Sequence, residues 1–173
     1  MSNQRILFDK NIAKRILEGL TKRERGMELN DQERIAAKIF DAEILSGKRL
    51  FIVPGTGNFL ARFYSTHKQV REFRNHVEVI VPARYYKRWS RRLQAFGFTR
   101  EDARVLSYGT FETDEQESFL GVDEVLTFDK PLATLFEEKQ ERIQEKLDAM
   151  KREVEPPYDD ARLPKVTIPK KME

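Results

Sequence analysis

Three aspartates stand out as the residues of this chain best suited to chemistry. Asp9 directly follows the apolar run from Arg5 to Phe8, and Asp129 follows the mostly apolar residues 122–128. Asp102 lies in the first turn of a predicted helix. Clustered carboxylates repel one another, so such a group is costly unless a cation neutralises it. A hard divalent cation such as Mg²⁺ or Mn²⁺ does this, and it can activate water to attack a phosphodiester.

Each aspartate also has a simpler interpretation. Asp9 could cap the helix that follows it, and Asp129 could be a turn residue before Lys130-Pro131. Acids in the first turn of a helix are electrostatically favourable, which would account for Asp102 without any function. The spacing along the sequence leaves open whether the three carboxylates meet in space.

The composition narrows the kinds of metal chemistry that this chain can perform. It has no cysteine and only two histidines, His67 and His76, among its 173 residues. Disulfides, a thiolate nucleophile and Cys-ligated zinc are therefore excluded, and a metal site would have to use carboxylates. A net charge of +3 and a pI near 9.1 permit a polyanionic partner without requiring one.

Four apolar runs predict strands, and two of the aspartates come directly after a strand. The predicted strands are Arg5–Phe8 and residues 50–53, 77–81 and 122–127. Because strands alternate with helices, we expect an α/β protein with a mostly parallel central sheet and helices on both faces. Sites in such sheets lie beyond the carboxyl ends of the strands, where Asp9 and Asp129 are expected.

Apolar residues at helical spacing predict helices between these strands. The expected N-terminal caps are Asn11 for the first helix and Asn30 and Asp31 for the second, and a later helix is expected to start at Thr99. Phe59 is an expected core residue of the helix that follows the second strand, and residues 109–121 are expected to form a polar, acidic loop.

Residues 1–154, including a long final helix, are expected to form one domain. The Pro-containing tail, residues 155–173, is expected to be either an edge strand or disordered. No apolar run approaches the length that spans a bilayer, and the N-terminus lacks the apolar core of a signal peptide. We therefore expect a cytoplasmic protein with no membrane partner. The final helix could pair with a second copy in a homodimer or bind a partner, but we favour packing on the domain.

The motifs around the aspartates resemble those of PIN-domain proteins. Residues 6–12 (Ile-Leu-Phe-Asp-Lys-Asn-Ile) resemble the opening of a PIN domain, in which an apolar strand ends in Asp-x-Asn before a helix. Residues 125–129 resemble the later strand that ends in Thr-x-Asp, and residues 99–103 resemble the helix that supplies a further Asp. The order of these motifs agrees with the family over most of residues 4–135.

This resemblance implies a PIN-like three-layer fold and metal-dependent ribonuclease activity. It implies Mg²⁺ or Mn²⁺ at Asp9, Asp102 and Asp129, with Asn11 and Thr127 of the same motifs as secondary candidates. RNA is the implied partner. Many small PIN proteins are toxins of toxin–antitoxin pairs, although nothing in this chain identifies an antitoxin.

The chain departs from the family in the helix after the second strand, where a Glu is usual. Residues 54–60 read Pro-Gly-Thr-Gly-Asn-Phe-Leu and contain no acid. Asn58 could orient a water there, but it carries no charge. An acid of the later loop could substitute for the Glu; the candidates are Glu112, Asp114, Glu115 and Glu117. We therefore expect weak metal binding and slow or absent cleavage.

Two functions of different classes follow. The first is a PIN-like, Mg²⁺- or Mn²⁺-dependent endoribonuclease, and the second is a degenerate, non-catalytic PIN-like module that binds RNA or a protein partner. A basic, aromatic stretch at residues 84–92 could contact RNA. Helical spacing, however, puts Tyr85, Trp89 and Leu93 on one face and predicts that they enter the core, with the cations on a solvated face. Lys10, Lys14 and Arg15 could guide a phosphate backbone toward the aspartates.

Overall fold

The computed structural model describes residues 4–114 and 116–170 as strands that alternate with helices. In the first half of the chain these are β1 (Arg5–Phe8), α1 (Lys10–Glu24), α2 (Asp31–Ser46), β2 (Arg49–Ile52), α3 (Pro54–Ala61), α4 (Lys68–Arg74), β3 (Glu78–Val79) and β4 (Val81–Pro82). In the second half they are α5 (Tyr86–Gln94), α6 (Arg100–Phe111), β5 (Glu112–Thr113), β6 (Glu124–Leu126), α7 (Lys130–Lys151), a 3-10 turn (Tyr158–Asp160) and β7 (Lys165–Thr167).

Five of these strands form one parallel sheet in the order β3-β2-β1-β6-β7. The central strand is β1, in which Leu7 is paired with Phe51 of β2 on one side and with Val125 of β6 on the other. The two strands that precede Asp9 and Asp129 are therefore neighbours, as predicted. Residues 165–167 of the tail form the edge strand β7.

Successive side chains along each strand point to opposite faces of the sheet and pack against the helices that cover those faces. Ile6 and Phe8 pack with α1 and α2 on one face, and Leu7 packs on the other face with Val105 of α6. On its far side, α6 packs against α5 and α7 through a third cluster that contains Trp89 and Phe136. These layers confirm the predicted α/β architecture, and the core positions of Trp89 and Leu93 confirm the predicted apolar face of α5.

Short polar motifs start the helices that surround the carboxyl edge of the sheet. Asp9, not the predicted Asn11, is the N-cap of α1, and its side chain accepts a hydrogen bond from the Lys10 N–H. Thr99, where a helix was predicted to start, is the N-cap of α6, and Asp129 caps α7. Asn30 forms a reciprocal capping box with Glu33 at the start of α2.

Two predicted segments differ from the structure. The third strand divides: Glu78–Val79 joins the main sheet, and Val81–Pro82 pairs antiparallel with Glu112–Thr113, which lie in the predicted loop. Helix α6 also continues past Gly109, where the loop was expected to begin. A Cβ at Gly109 would lie 3.1 Å from side-chain atoms of Pro164 and Val125, so this glycine permits close packing of the helix and does not end it.

Helix α4 was not predicted, because only Val70 and Phe73 of its seven residues are buried and apolar. Along the long helix α7, by contrast, buried residues recur at helical spacing from Leu132 to Met150. Within residues 4–114 and 116–170, no helix is both long enough and apolar enough to cross a membrane.

Candidate acidic site

The carboxyl ends of β1 and β6 lie side by side and carry two of the three aspartates. The backbone N–H of Asp9 donates to the Leu126 carbonyl at 2.9 Å, which joins the two strand ends. Asp129 follows shortly after Leu126, and the N-terminus of α6 brings Asp102 toward the same edge. The structure thus places the three predicted ligands around one end of the central strands.

The three carboxylates act on one another electrostatically. Asp9 is only 5% exposed, and burial is the largest cause of its raised pKa. Hydrogen bonds from Thr127 and Lys10 oppose this effect, whereas the charge of Asp129 adds to it. Burial likewise raises the pKa of Asp102, followed by the charges of Asp129 and Asp9. Asp129 is therefore close enough to make both Asp9 and Asp102 harder to ionise, and Asp9 is close enough to do so for Asp102.

Asn11 and Thr127 hold the two strand ends in place. The Thr127 hydroxyl donates to Asp9 Oδ2 at 2.8 Å, and the Asn11 amide donates to the same oxygen at 3.3 Å. Asn11 Oδ1 accepts the Phe128 N–H at 3.0 Å, and the Asp129 N–H donates to Thr127 Oγ1 at 3.0 Å. These secondary candidates therefore orient the acids and fix the spacing between them.

Asp9 and Asp129 also cap the helices that follow them. Asp9 Oδ1 accepts the Lys10 N–H at 2.8 Å, and Asp129 Oδ1 accepts the Leu132 N–H at 3.1 Å. The backbone N–H of Asp102 donates to Thr99 at 3.1 Å, so its carboxylate is not the cap. Capping and clustering coexist here, because each of these caps uses only one carboxylate oxygen.

The donor set fits a hard divalent cation in kind and charge, since all three candidates supply carboxylate oxygens. In the arrangement described, however, no three Asp, Glu or His side chains among residues 4–114 and 116–170 are gathered into a group that could hold a metal ion. The aspartates are neighbours at one edge without forming a closed set of ligands.

A surface ion pair lies beside the aspartates. Lys10 pairs with Glu101, and this contact is the main cause of the raised pKa of Lys10, to which the charges of Asp9 and Asp102 also contribute. Both side chains are more than half exposed, at 64% and 59%. The pair is therefore a solvated rim of the site, and its net contribution to stability is small.

A cavity of about 890 Å³ opens beside Asp9 between α1, α3 and α6. Its walls combine apolar and charged side chains. They include Asp9, Lys14, Phe59, Arg104 and Tyr108. This volume lies in the range of about 300–1,000 Å³ that small-molecule and cofactor sites occupy.

The wall formed by α3 contains no acid. Gly55, Thr56 and Phe59 line the cavity, whereas Asn58 is exposed and points elsewhere. Phe59 is 56% exposed, so the expectation that it belongs to the core was wrong. The core side of α3 is formed by Leu60 and Gly57. A Cβ added at Gly57 would lie only 2.7 Å from Val79 Cγ2, so this position packs too closely for a side chain.

The described acids of the later loop do not reach this edge of the sheet. Asp114 accepts a hydrogen bond from Arg49, the first residue of β2, at 2.7 Å, which places it at the amino edge. Glu112 follows α6, whereas Asp102 lies in the first turn of that 12-residue helix, which is about 18 Å long. Glu117 is exposed near Asp114, and Glu115 lies outside the described residues.

Three site residues were missed in the sequence. Glu101, Arg104 and Tyr108 project from α6 toward the cavity at spacings of three and four residues. That spacing puts them on one face of a helix. Since the start of α6 at Thr99 was predicted, the helical period alone could have indicated this face.

The basic stretch at residues 84–92 contacts the segment that follows α7. Arg84 pairs with Glu155 at 2.6 Å, and Arg88 pairs with Glu153. The Tyr85 hydroxyl also donates to Glu155. These contacts give the stretch a structural role away from the acidic edge.

No protein-family model matches this chain, and no curated protein is significantly similar to it.

Proposed function

We propose that this chain is a PIN-like, metal-dependent ribonuclease of low intrinsic activity. The observation that carries the proposal is the placement of Asp9, Asp102 and Asp129, from three separate elements, where the charge of Asp129 raises the pKa of both other aspartates and the charge of Asp9 raises that of Asp102. Such mutual destabilisation is characteristic of functional sites, where a bound cation or a reaction compensates for it.

Each residue of the site has a role in this proposal. Asp9, Asp102 and Asp129 would hold Mg²⁺ or Mn²⁺, which would act as a Lewis acid in phosphodiester hydrolysis. Asn11 and Thr127 keep Asp9 oriented through their hydrogen bonds. Asp102 and Asp129 are only half-buried, so their carboxylates have room to turn toward an ion.

Cations on the cavity wall support RNA as the substrate. Lys14 and Arg104 line the cavity, and Lys10 lies beside the aspartates. Their charges attract a phosphate backbone and offset its repulsion by the acids. Low activity follows from the wall formed by α3, which supplies no acid, and from the position of Asp114 at the other edge.

A non-catalytic, RNA-binding PIN-like module is the alternative. The missing acid in α3 favours it, because a weakly held cation stabilises the developing charge poorly. In that case RNA binding persists without cleavage.

A Mn²⁺ titration tests the metal site. The melting temperature of the native protein should rise with Mn²⁺ concentration, because an ion that binds only the folded state stabilises it. Asp129→Asn should abolish the rise, and Asp148→Asn, which changes an exposed aspartate of α7, should retain it. Equal shifts in all three proteins would show that Mn²⁺ binds elsewhere.

A cleavage assay separates the two functions. Unstructured RNA with Mn²⁺ should be cut slowly by the native protein and not by Asp9→Asn, which also controls for contaminating nucleases. RNA binding without cleavage would select the non-catalytic module, and cleavage that survives Asp9→Asn would refute this site.

A further inference from the structure

A row of aromatic rings leads outward from the acidic cavity along α3 and the turn that follows it. The ring centroids of Phe59 and Phe63 lie 5.2 Å apart, and those of Phe63 and His67 also lie 5.2 Å apart. Phe59 begins the row at the cavity wall, where Asp9 is also found. The rings are therefore continuous with the proposed site.

Exposed aromatic side chains occur in this row and beside it, whereas Phe63 in the middle of the row is partly buried against the core. Phe59 is 56% exposed, and Tyr64 beside the row is 46% exposed. The other large exposed apolar side chains among the described residues, Met27 and Leu45, lie on different helices or loops. Aromatic exposure is thus concentrated next to the acidic cavity.

The charged side chains of the segment that carries these rings are all positive. Residues 44–71 contain no Asp or Glu, although the chain has 29 acids in 173 residues. Arg62 and Lys68 flank the rings and are exposed. One carboxylate from another element borders the segment, because Glu24 of α1 lies 3.5 Å from Lys68 and accepts a hydrogen bond from Gln69 at 2.6 Å. The positive charge of the segment that is nearest to the rings is therefore that of Arg62.

We propose that residues 59–68 form a track that binds single-stranded nucleic acid and guides it to the acidic cavity. Unpaired bases stack on Phe59 and on the exposed part of Phe63, and Arg62 contacts phosphate. Lys68 contacts a second phosphate by exchanging its exposed ion pair with Glu24 for it. Aromatic platforms between cations bind single strands in this way, because every base offers a π-face and the backbone is charged throughout. Bases in a duplex are already stacked on one another, so the track selects unpaired strands.

The substrate class assigned here rests on the proposed nuclease function, but the track binds nucleic acid without a metal ion. Binding is therefore measured in EDTA, where cleavage cannot occur, by fluorescence anisotropy of a labelled ten-nucleotide oligo-uridine. An oligo-thymidine of the same length distinguishes RNA from DNA, and a duplex of the same length tests the need for unpaired bases.

Variants of Phe59 test base stacking. Phe59→Leu keeps an apolar side chain and should lower the affinity for oligo-uridine about tenfold, the effect expected from losing one base stack. Phe59→Trp should retain the affinity, and Leu45→Ala, at a side chain that is 88% exposed on α2, should leave it unchanged. Thermal melts of each variant establish that it is folded.

A variant of Arg62 tests the phosphate contact. Arg62→Ala should weaken binding and reduce the slope of log affinity against log salt by about one. Arg142→Ala, at an exposed position of α7, is the matched control and should do neither.

Three outcomes would overturn the track: no binding of either oligonucleotide at low salt, equal affinity for the duplex, or full affinity in Phe59→Leu. A change of oligomeric state in Phe59→Leu with unchanged affinity would identify the aromatic surface as a protein interface. Metal binding at Asp129 is measured separately, so the track can fail while the nuclease proposal stands, and the reverse also holds.

Discussion

Asp9 and Asp114 are both almost fully buried at opposite edges of the same sheet, but their pKa values shift in opposite directions. At the carboxyl edge, burial and the nearby Asp129 raise the pKa of Asp9. At the amino edge, burial again acts to raise the pKa of Asp114, but hydrogen bonds from Ser118 and Arg49 outweigh it and lower the pKa to about 2.

The difference separates a structural acid from a candidate functional one. Arg49 neutralises Asp114 and also pairs with Glu78, so the amino edge is a closed network. At the carboxyl edge, hydrogen bonds from Thr127 and Lys10 offset the burial and repulsion only in part, because the pKa of Asp9 remains raised. The remaining repulsion costs stability unless a ligand binds. The comparison therefore assigns Asp114 to folding, and it supports the proposal that the Asp9 cluster serves binding.

A third buried acid extends the comparison. Glu112 is completely buried, and neither of its carboxylate oxygens has a hydrogen-bond partner within residues 4–114 and 116–170. Burial raises its pKa to about 9. The acid is therefore neutral in the folded protein at pH 7, in contrast to the ionised Asp114 nearby.

The largest predicted effect is the pH dependence that Glu112 confers. Its pKa is about 9 in the folded protein, against 4.5 in the unfolded chain. Folding must therefore take up a proton between these values, and stability falls as pH rises through this window. The slope should reach about 1.4 kcal/mol per pH unit at its steepest.

Glu112→Gln should remove this slope, because the amide does not titrate. Thermal melts between pH 5 and pH 9 should show little difference between the two proteins at pH 5 and a growing advantage of Glu112→Gln toward pH 9. Parallel pH profiles for both proteins would show that Glu112 ionises as readily in the folded state as in the unfolded one.

The next largest effect is expected at Arg49. Arg49→Met leaves Asp114 buried without its cationic partner and should lower the free energy of unfolding by about 3 kcal/mol. This is the lower end of the range for a broken buried pair, because the Arg49 side chain is 36% exposed. Chemical denaturation measures the free energy of unfolding. Glu78→Gln, at a side chain that is 44% exposed, is the control and should cost less than about 1 kcal/mol.

The ion pair between Arg49 and Asp114 also predicts a loss of stability at low pH. Because the folded pKa of Asp114 is about 2 and its ordinary value is 3.8, its contribution is present above pH 3.8 and lost as pH falls toward 2. In Arg49→Met this loss should shrink. An unchanged acid transition would mean that Ser118 alone keeps the pKa of Asp114 low.

A smaller effect of opposite sign is expected at the carboxyl edge. Asp129→Asn keeps an oxygen that can cap α7 but removes the charge that raises the pKa of Asp9 and Asp102. Without metal, it should therefore stabilise the protein by about 0.5–1 kcal/mol at neutral pH. Asp114→Asn should destabilise it under the same conditions, and destabilisation by both variants would remove the contrast between the two edges.

The smallest effect concerns the α3 wall. Phe59→Glu should raise the affinity for Mn²⁺ about fivefold, the equivalent of about 1 kcal/mol from one added charge near the site. Asn58→Glu, one residue away and outside the cavity, is the matched control and should change it little. Calorimetric titration of both variants measures the difference, and equal affinities would show that the cavity wall does not contribute to metal binding.

Patterns close together in the sequence determined much of the fold. The run Arg5–Phe8 is apolar enough to form a buried strand, and Thr99 caps its helix through a contact with Asp102, three residues away. Alternating strands and helices led to a parallel sheet, which put Asp9 and Asp129 at neighbouring strand ends. These features depend on local hydrogen bonds and on the handedness of crossovers, which a sequence pattern encodes directly.

Only the tertiary structure decided how each acid is used. Asp114 appeared as one of four acids in a polar loop, but its partner Arg49 lies 65 residues away in the sequence. Gly109 was expected to begin a loop, but it lies in a helix where Pro164 and Val125 pack too closely for a side chain. Phe59 was expected to lie in the core, but it faces the cavity. Burial and charge neutralisation depend on which distant segments come into contact, so the chain order specified where the carboxylates could lie and the packing specified which of them are compensated.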